Sequence, residues 1–294
     1  MAEIQYKKTG GITHSQRKVV IKVVSYFVLT LVGFLMIYPL IWMVGASFKP
    51  DNAEVFRNIT PFTLYPSIRG YIVGWQTATE FTFTRYFFNS FAIVVPKMIF
   101  TVISCTLASY AFSRFWVPGK KIWFALLIGT LLLPDTVLRI PQFLLFRQLG
   151  WLNSFLPLTV PSLFAVDSFF VFMLVQFFRG IPKDLSESAT IDGCNSLQTL
   201  LYVLVPVLKP AIISVALFQF MWTMNDFMGP LIYISSVSMF PVSLALRMSM
   251  DASSIVDWPA VLAMSTAALV PSLTLFFIAQ RYFVEGIATT GMKG

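Results

Sequence analysis

Long uncharged runs alternate with short polar segments along this chain. Residues 23–48 and 258–280 contain no charged side chain, and about 20 apolar residues are enough for a helix to cross a hydrocarbon core of roughly 30 Å. The runs are apolar on every face, whereas the strands of a membrane β-barrel alternate apolar and polar residues over about ten positions. The pattern therefore predicts an all-α, polytopic membrane protein.

Six transmembrane helices account best for this pattern. The uncharged segment 227–246 is not counted as a seventh, because Pro230, Pro241 and several serines interrupt it. The predicted parts are an N-terminal tail (1–19), a transmembrane domain (20–283) with an external loop (48–85) and a cytoplasmic loop (180–197), and a C-terminal tail (284–294). The predicted spans are 20–47, 86–113, 121–146, 155–179, 198–229 and 258–283.

Basic residues are distributed unevenly between the two sides of the predicted membrane domain. With the N-terminus inside, thirteen lysines and arginines fall on the inner side and seven on the outer side. An excess of basic residues marks cytoplasmic loops, so both termini are predicted to be cytoplasmic. The net charge of +8 does not indicate nucleic-acid binding, because the basic side chains stand at the ends of apolar segments and form no stripe.

Composition excludes a soluble domain and gives no sign of a catalytic centre. Hydrophobic residues make up 57% of the chain and charged residues only 12%. Gly119 and Lys120 lack the upstream glycine and the following Ser or Thr of a phosphate-binding loop. One histidine, His14, and two separate cysteines offer no metal-ligand spacing. We therefore expect a non-catalytic subunit with no metal or cofactor of its own.

The polar stretch from Pro182 to Pro210 predicts a short helix between two membrane spans. Asp184 is placed to cap the N-terminus of this helix, and Glu187, three positions on, can reach back in a capping box. Gly193 can supply the left-handed residue that ends the helix. A helix capped at both ends is what a loop needs if it is to transmit force.

Fixed spacings in this stretch resemble the EAA loop of permease subunits in bacterial ABC importers. Glu187, Ala189 and Gly193 are followed after nine residues by Val203, Val205 and Pro206, with Ser188 in place of the usual middle alanine. The chain as a whole resembles the smaller, maltose-type permease subunit of sugar importers. The segments that carry this wider resemblance are Tyr38–Pro50, Leu132–Ser154, Trp222 with Asn225, Asp226 and Pro230, and Gln280–Gly294.

The resemblance implies a type I ABC importer fold in a bacterial inner membrane. It implies four kinds of partner: a second permease subunit, two ATPase subunits that bind ATP and Mg, an extracytoplasmic solute-binding protein, and a sugar or oligosaccharide as substrate. In that family the EAA loop docks into the ATPase, which assigns ATPase coupling here to Glu187, Ala189, Asp192 and Gly193. The tail from Gly291 to Gly294 is also expected near the ATPase.

Ionisable residues inside apolar spans are the candidates for a substrate path. Each costs about 2.5 to 3.5 kcal/mol at the bilayer centre on insertion scales, so a charge there needs a reason. Asp135 and Arg139 are four apart between two prolines, which favours a shared helix face or a broken turn. A structural pair near the external interface is the alternative. Lys97 and Asp167 also fall within spans. For Lys97 the alternatives to substrate contact are an amine that extends toward the interface and an ion pair that faces the bundle.

Asn225 and Asp226 lie near the predicted outer end of the fifth span, beside Trp222. Amides and carboxylates hydrogen-bond to sugar hydroxyls, and aromatic faces pack on sugar CH surfaces. These three residues are therefore predicted to contribute to the substrate path. The alternative is an amide that packs between helices beside an acid at the interface.

Two other classes of function remain open at this point. A secondary transporter or channel would work without an ATPase, but it predicts inverted repeats and an ionic relay at the midplane that the sequence does not display. A membrane enzyme acting on lipid-linked sugars would need convergent acids, and the acids here are scattered. Arg139, Arg147 and Arg247 on the outer side would suit an acidic sugar such as a uronate oligomer, although anchoring at the membrane surface is their ordinary role.

Overall fold

A computed structural model describes residues 14–76, 81–250 and 256–291. The described residues form helices with no strand among them. Short 3-10 segments follow α7 and α13, at Val160–Phe164 and Val237–Met239, and a π-helical segment, Thr199–Leu204, follows α10. The α-helices are α1 His14–Ala46, α2 Asn52–Arg57, α3 Arg69–Gln76, α4 Phe83–Arg114, α5 Lys120–Thr130, α6 Asp135–Gln148, α7 Leu156–Thr159, α8 Ser168–Gly180, α9 Asp184–Ile191, α10 Ser196–Gln198, α11 Val205–Val207, α12 Lys209–Met224, α13 Met228–Tyr233, α14 Val242–Met248 and α15 Trp258–Gly291.

Four of the described helical segments are long and apolar enough to cross a membrane. They are Arg17–Ala46, Phe83–Arg114, Leu156–Gly180 and Trp258–Arg281. A fifth, Ser196–Val207 continued by Lys209–Met224, is bent by 82°. Pro206 and Pro210 flank this bend, and a proline ring removes an N–H donor and clashes with the preceding turn. Five of the six predicted spans thus have a counterpart, and the segment 227–246 contains only short helices, as expected.

The predicted third span, 121–146, is divided into α5 and α6. Neither half is long enough to count alone as a span. The break covers residues 131–134 and ends at Pro134, which disfavours helical backbone at the residue before it. The sequence allowed a broken turn near Asp135, but hydropathy alone does not show whether a segment is one continuous helix.

Helix α4 is the centre of the packing. It lies against α8 and α12, and its buried Cys105 shares an apolar cluster with Phe170 and Leu174 of α8. Small polar residues line its contact face. Ser104 Oγ donates to the Ser162 carbonyl at 2.6 Å, and Ser109 Oγ donates to the Val171 carbonyl at 2.9 Å. Small residues of this kind let helix backbones approach closely inside a membrane and add interhelical hydrogen bonds.

Segment 48–76, which belongs to the loop predicted to be external, packs against the start of α15. The Asn52 side chain bonds to the residues on either side of Asp257. Its amide N–H donates to the Val256 carbonyl at 2.7 Å, and its amide oxygen accepts from the Trp258 N–H at 2.8 Å. Arg69 forms an ion pair with Asp257 at 2.9 Å. Lys49 is fully buried, and its amine donates to the Asn58 carbonyl.

Burial also changes the chemistry of Lys49. The pKa of its ammonium is lowered by desolvation, which outweighs the opposing effect of the Glu54 carboxylate. The ammonium also lies 5.9 Å from the centre of the Trp42 ring, within the range of a cation–π contact. Lys49 therefore links the end of α1, through Trp42, to Asn58 in the segment that follows it.

Replacing Gly45 by alanine should destabilise the protein. A β-carbon at Gly45 would lie 2.7 Å from the carbonyl carbon of Pro61 and 3.0 Å from its Cα, so the backbone would have to move. We expect a loss of about 2 kcal/mol, as for other overpacked sites, measured as a lower unfolding temperature in detergent. Gly33→Ala in the same helix is the matched control, since nothing lies within 4 Å of its added carbon. Equal stability of the two variants would contradict this packing.

Candidate functional site

The predicted polar helix exists as α9, but its N-terminus differs from the prediction. Asp184 is the first helical residue, Lys183 occupies the cap position, and no side chain caps the helix there. The predicted Asp184 cap and the capping box with Glu187 are therefore wrong. Both acids stand instead in the first turn, where negative charge interacts favourably with the helix dipole.

The C-terminus of α9 agrees with the prediction for Gly193. Gly193 has a φ of +85°, in the left-handed region that favours glycine. The N–H of Cys194 donates to the Ala189 carbonyl at 2.9 Å, and the N–H of Gly193 donates to the Thr190 carbonyl at 3.1 Å. These two bonds form a Schellman motif, which satisfies carbonyls that a helix end would otherwise leave unpaired.

A capping box does occur in this loop, but one helix later. The Asn195 side chain accepts from the Gln198 N–H at 2.9 Å, and the Gln198 side chain accepts from the Asn195 N–H at 2.9 Å. The sequence signal was present, since Gln198 stands three residues after Asn195. The end of α9 and the start of the next helix are thus both fixed by local hydrogen bonds, with only 192–195 between them.

The two faces of α9 differ in what they expose. Ala189 is buried, with 5% of its surface accessible, whereas Glu187, Asp192 and Gly193 are exposed. The small size of Ala189 therefore serves packing within this chain. Ile191, which the sequence reasoning did not select, is 86% exposed. An exposed isoleucine at the end of a polar helix can make an apolar contact with another molecule. Its exposure is visible only in the folded structure, so the sequence alone did not single it out.

Basic side chains gather beside the start of α9. The pKa of Lys120 is lowered by burial, and the positive charges of Arg179 and Lys183 lower it further. The amine of Lys120 donates to the Phe115 carbonyl at 3.1 Å, and the Arg179 guanidinium lies 4.9 Å from the centre of the Phe124 ring. The approach to α9 is therefore positively charged, whereas α9 itself carries acids in its first turn.

A cavity of about 220 Å³ collects most of the charged residues of the membrane segments. It contains two of the predicted path residues, Arg139 and Asp226, together with Lys97 and Asp167. The sequence reasoning did not select Gln142, Tyr233 or Ser162, which also line it. No sequence signal marks them, because they come from three separate segments. The lining residues are Lys97, Leu138, Arg139, Gln142, Phe146, Pro157, Leu158, Pro161, Ser162, Val166, Asp167, Asp226, Gly229 and Tyr233.

Breaks in the helices place the two carboxylates at this cavity. Ala165 has a φ of +51° just before α8 begins at Ser168, and Asp167 in this break accepts from Thr101 Oγ1 at 3.0 Å. Asp226 follows the end of α12, and its Oδ1 accepts from the Gly229 N–H at 3.0 Å. Interrupted helices at membrane depth are tolerated where they line a cavity, and many transporter sites are built in this way.

Trp222 and Asn225, also predicted for the path, lie outside this cavity. Trp222 packs on Phe169 and Phe170 of α8, with ring centres 5.4 and 5.0 Å apart. The Asn225 side chain donates back to the Met221 carbonyl at 2.8 Å and is exposed. Neither lines the cavity, so their place in the substrate path stays a prediction. Asp135 begins α6, but its side chain lies outside the described residues.

Comparison with known proteins decides the family. Residues 14–289 match the family model described as binding-protein-dependent transport system inner membrane component. The chain belongs to this family. The resemblance found in the sequence is thereby confirmed, and the chain is a transport subunit of the membrane and not a soluble protein.

Relatives of this family cover most of the chain. A trehalose/maltose transport system permease protein of Thermococcus litoralis is 29% identical and aligns with 90% of this chain and 94% of its own length. An arabinooligosaccharides transport system permease protein of Halalkalibacterium halodurans is 28% identical over 90% of this chain and 93% of its own length.

The fold of this family is present as well. A solved chain of a bacterial ABC transporter that imports the acidic polysaccharide alginate superposes with a TM-score of 0.79, covering 94% of this chain and all of that chain at 20% identity. At this identity the likeness carries the fold alone. The all-α importer-permease fold predicted from the sequence is confirmed.

Replacing Asn195 by alanine should loosen the helix that follows α9. The change removes the acceptor for the Gln198 N–H, and loss of such a cap costs about 1 kcal/mol. We expect amide exchange at 196–200 to become about fivefold faster, measured by hydrogen–deuterium exchange with mass spectrometry. Asn195→Asp retains an acceptor and is the control. Equal exchange in the alanine and aspartate variants would contradict a role for the capping box.

Proposed function

We propose that this chain is the permease subunit of an ATP-driven importer of a sugar or oligosaccharide in a bacterial inner membrane. Family membership and the names of the relatives support a transport subunit for sugars. The observation that carries ATP coupling is α9, a polar helix that ends in a Schellman motif and exposes Ile191. The full assembly would comprise this chain, a second permease subunit, two ATPase subunits that bind ATP and Mg, and an extracytoplasmic solute-binding protein.

In this proposal α9 docks on the ATPase in the cytoplasm, with both chain termini on the same side. Closure of the ATPase dimer on ATP would displace α9 and open the cavity outward, and ATP hydrolysis would reverse the motion. Such coupling requires that the ATPase bind α9 differently in the two states. The local bonds at Gly193 and Asn195 support this role, because they hold the helix together while it moves.

The surface of α1 supports a second permease subunit. Its apolar stretch, Arg17–Ala46, has none of its most hydrophobic window buried within this chain. A partner of the same kind would complete a pathway of which this chain forms one half.

A secondary transporter or channel that works without an ATPase is the competing function. The two are separated by purifying the chain in mild detergent from the cells that naturally produce it. The importer predicts that an ATPase subunit copurifies and that its hydrolysis in proteoliposomes is stimulated by one sugar presented by a solute-binding protein. Import driven by an ion gradient with no ATPase attached would overturn the proposal.

Replacing Ile191 by serine should weaken docking of the ATPase. Burial of an isoleucine side chain contributes about 2 kcal/mol, which corresponds to about thirtyfold in affinity. We expect sugar-stimulated ATPase activity and import to fall together, while Ile191→Leu retains both. Affinity of the purified permease for the ATPase subunits, measured by surface plasmon resonance, checks the cause. Unchanged affinity for the serine variant would remove Ile191 from the interface.

We propose that the cavity is the part of the substrate path that this chain contributes. Lys97 and Arg139 line it without an ion pair to any side chain that the structure describes, so both cations are available to sugar hydroxyls or to a carboxylate. The two acids already accept hydrogen bonds from within the chain. A ligand series of neutral and uronate oligosaccharides in the stimulation assay tests which class is accepted.

Two substitutions of Asp226 distinguish a role in the substrate path from a purely structural role. Asp226→Asn preserves an acceptor for the Gly229 N–H and removes only the charge, whereas Asp226→Ala removes both. We expect the asparagine variant to assemble normally and to import at least tenfold more slowly, measured as labelled sugar uptake. Full uptake by the asparagine variant, with instability confined to the alanine variant, would assign Asp226 a purely structural role.

A further inference from the structure

The last turns of α4 hold both ends of the loop that contains α9. On the incoming side, Nη2 of Arg114 donates to the Ile181 carbonyl at 2.8 Å and to the Phe178 carbonyl at 3.3 Å. On the outgoing side, the Tyr110 hydroxyl donates to the Ser196 carbonyl at 3.0 Å. Tyr110 and Arg114 are four residues apart and share one face of α4.

This fastening is partly buried, and one of its donors is charged. The Tyr110 ring packs 5.9 Å from the ring of Phe178, which is completely buried, and 5.1 Å from that of Phe115. The Arg114 guanidinium pairs with carbonyls at the end of α8, where a helix leaves acceptors unsatisfied and where positive charge interacts favourably with its dipole. Hydrogen bonds with one charged partner are about twice as strong as neutral ones.

One N–H donor of the Arg114 guanidinium is not used. Its Nε is buried and has no hydrogen-bond partner among the described residues. A packing role alone would be met by an apolar side chain without this desolvation cost. The arginine is explained by the two carbonyls that its Nη2 holds, one of which belongs to Ile181 in the loop itself.

Helix α4 leads from this fastening to the cavity. It is continuous from Phe83 to Arg114, and Lys97 on the same helix lines the cavity. Thirteen residues of α-helix separate Lys97 from Tyr110, a rise of about 20 Å. A displacement imposed on α9 therefore has a short, rigid route to the cavity that does not follow the chain through α8 or α12.

We propose that Tyr110 and Arg114 are positioning residues that fasten α9 to α4, so that movement of α9 reaches the cavity through α4. The proposal rests on the proposed docking of α9 on an ATPase. Without the fastening, α9 would still dock, but part of its motion would be lost in the loop. The consequence is ATP hydrolysed without sugar imported, a change of coupling and not of binding.

The test is the ratio of ATP hydrolysed to sugar imported by the complete complex in proteoliposomes. Tyr110→Phe removes only the hydroxyl and keeps the ring packing, and Arg114→Lys keeps the charge but loses the guanidinium geometry. We expect each to raise the ratio about fivefold, the factor that corresponds to one lost hydrogen bond of about 1 kcal/mol. Affinity of the permease for the ATPase subunits should not change.

Ser113→Ala is the matched control. Its hydroxyl lies on the same turns of α4 but donates within the helix, to the Ser109 carbonyl at 2.7 Å. It should therefore leave the ratio unchanged. If the lysine variant does not assemble, the milder Tyr110→Phe decides the matter.

A distance measurement gives a second readout. Spin labels at T190C and W116C, in a Cys194→Ser background, report the separation of α9 from the end of α4. We expect this separation to stay constant in the unsubstituted complex when ATP binds and to widen in Tyr110→Phe.

An unchanged ratio and a constant separation in Tyr110→Phe would overturn the fastening while leaving the importer proposal intact. Absence of sugar-stimulated hydrolysis in the unsubstituted complex would instead overturn the importer proposal. The two failures are therefore distinguishable. An equal rise in the ratio for Ser113→Ala would also count against the fastening, since any change in α4 would then have the same effect.

Discussion

The cost of an unpaired backbone group in hydrocarbon organises this structure. A continuous helix satisfies its own N–H and C=O groups, so a membrane segment departs from helix only where other groups replace those bonds. The departures here fall at 131–134, at 165–167, at the 82° bend near Leu208 and at the end of α12. Two of them, at Asp167 and Asp226, border the charged cavity. Interruption of a helix and concentration of polar side chains are thus two aspects of one arrangement.

Helix α4 supplies hydrogen-bond partners to these interrupted segments. Along one continuous helix it presents hydroxyl donors to the broken segment before α8, from Thr101 to Asp167 and from Ser104 to the Ser162 carbonyl. Nearer its end it supplies Arg114 and Tyr110 to the loop around α9. A single unbroken element therefore provides bonding partners to several broken ones, which explains why small and polar residues occupy the buried face of a membrane helix.

Sequence reasoning recovers those features that depend on local chemistry or on solvent. Hydropathy predicts the long spans, and the left-handed residue at Gly193 follows from the glycine at the end of a polar helix. The predicted cap at Asp184 was wrong because a one-residue shift of the helix start moves an acid from the cap into the first turn. The cavity could not be predicted in full. Arg139 and Asp226 are ionisable and hence conspicuous, whereas Tyr233 and Gln142 become cavity residues only once separate broken helices converge.

The same distinction separates the two kinds of residue in the α9 loop. Gly193, Asn195 and Gln198 give the helix and its neighbour their shape through bonds between residues no more than five apart. Such bonds survive displacement of the loop as a whole, because both partners move together. The bonds from Arg114 and Tyr110 join residues more than 60 positions apart, so displacement of the loop must either break them or carry α4 along. In the proposed mechanism, the local bonds therefore keep α9 rigid, and the long-range bonds determine which helix moves with it.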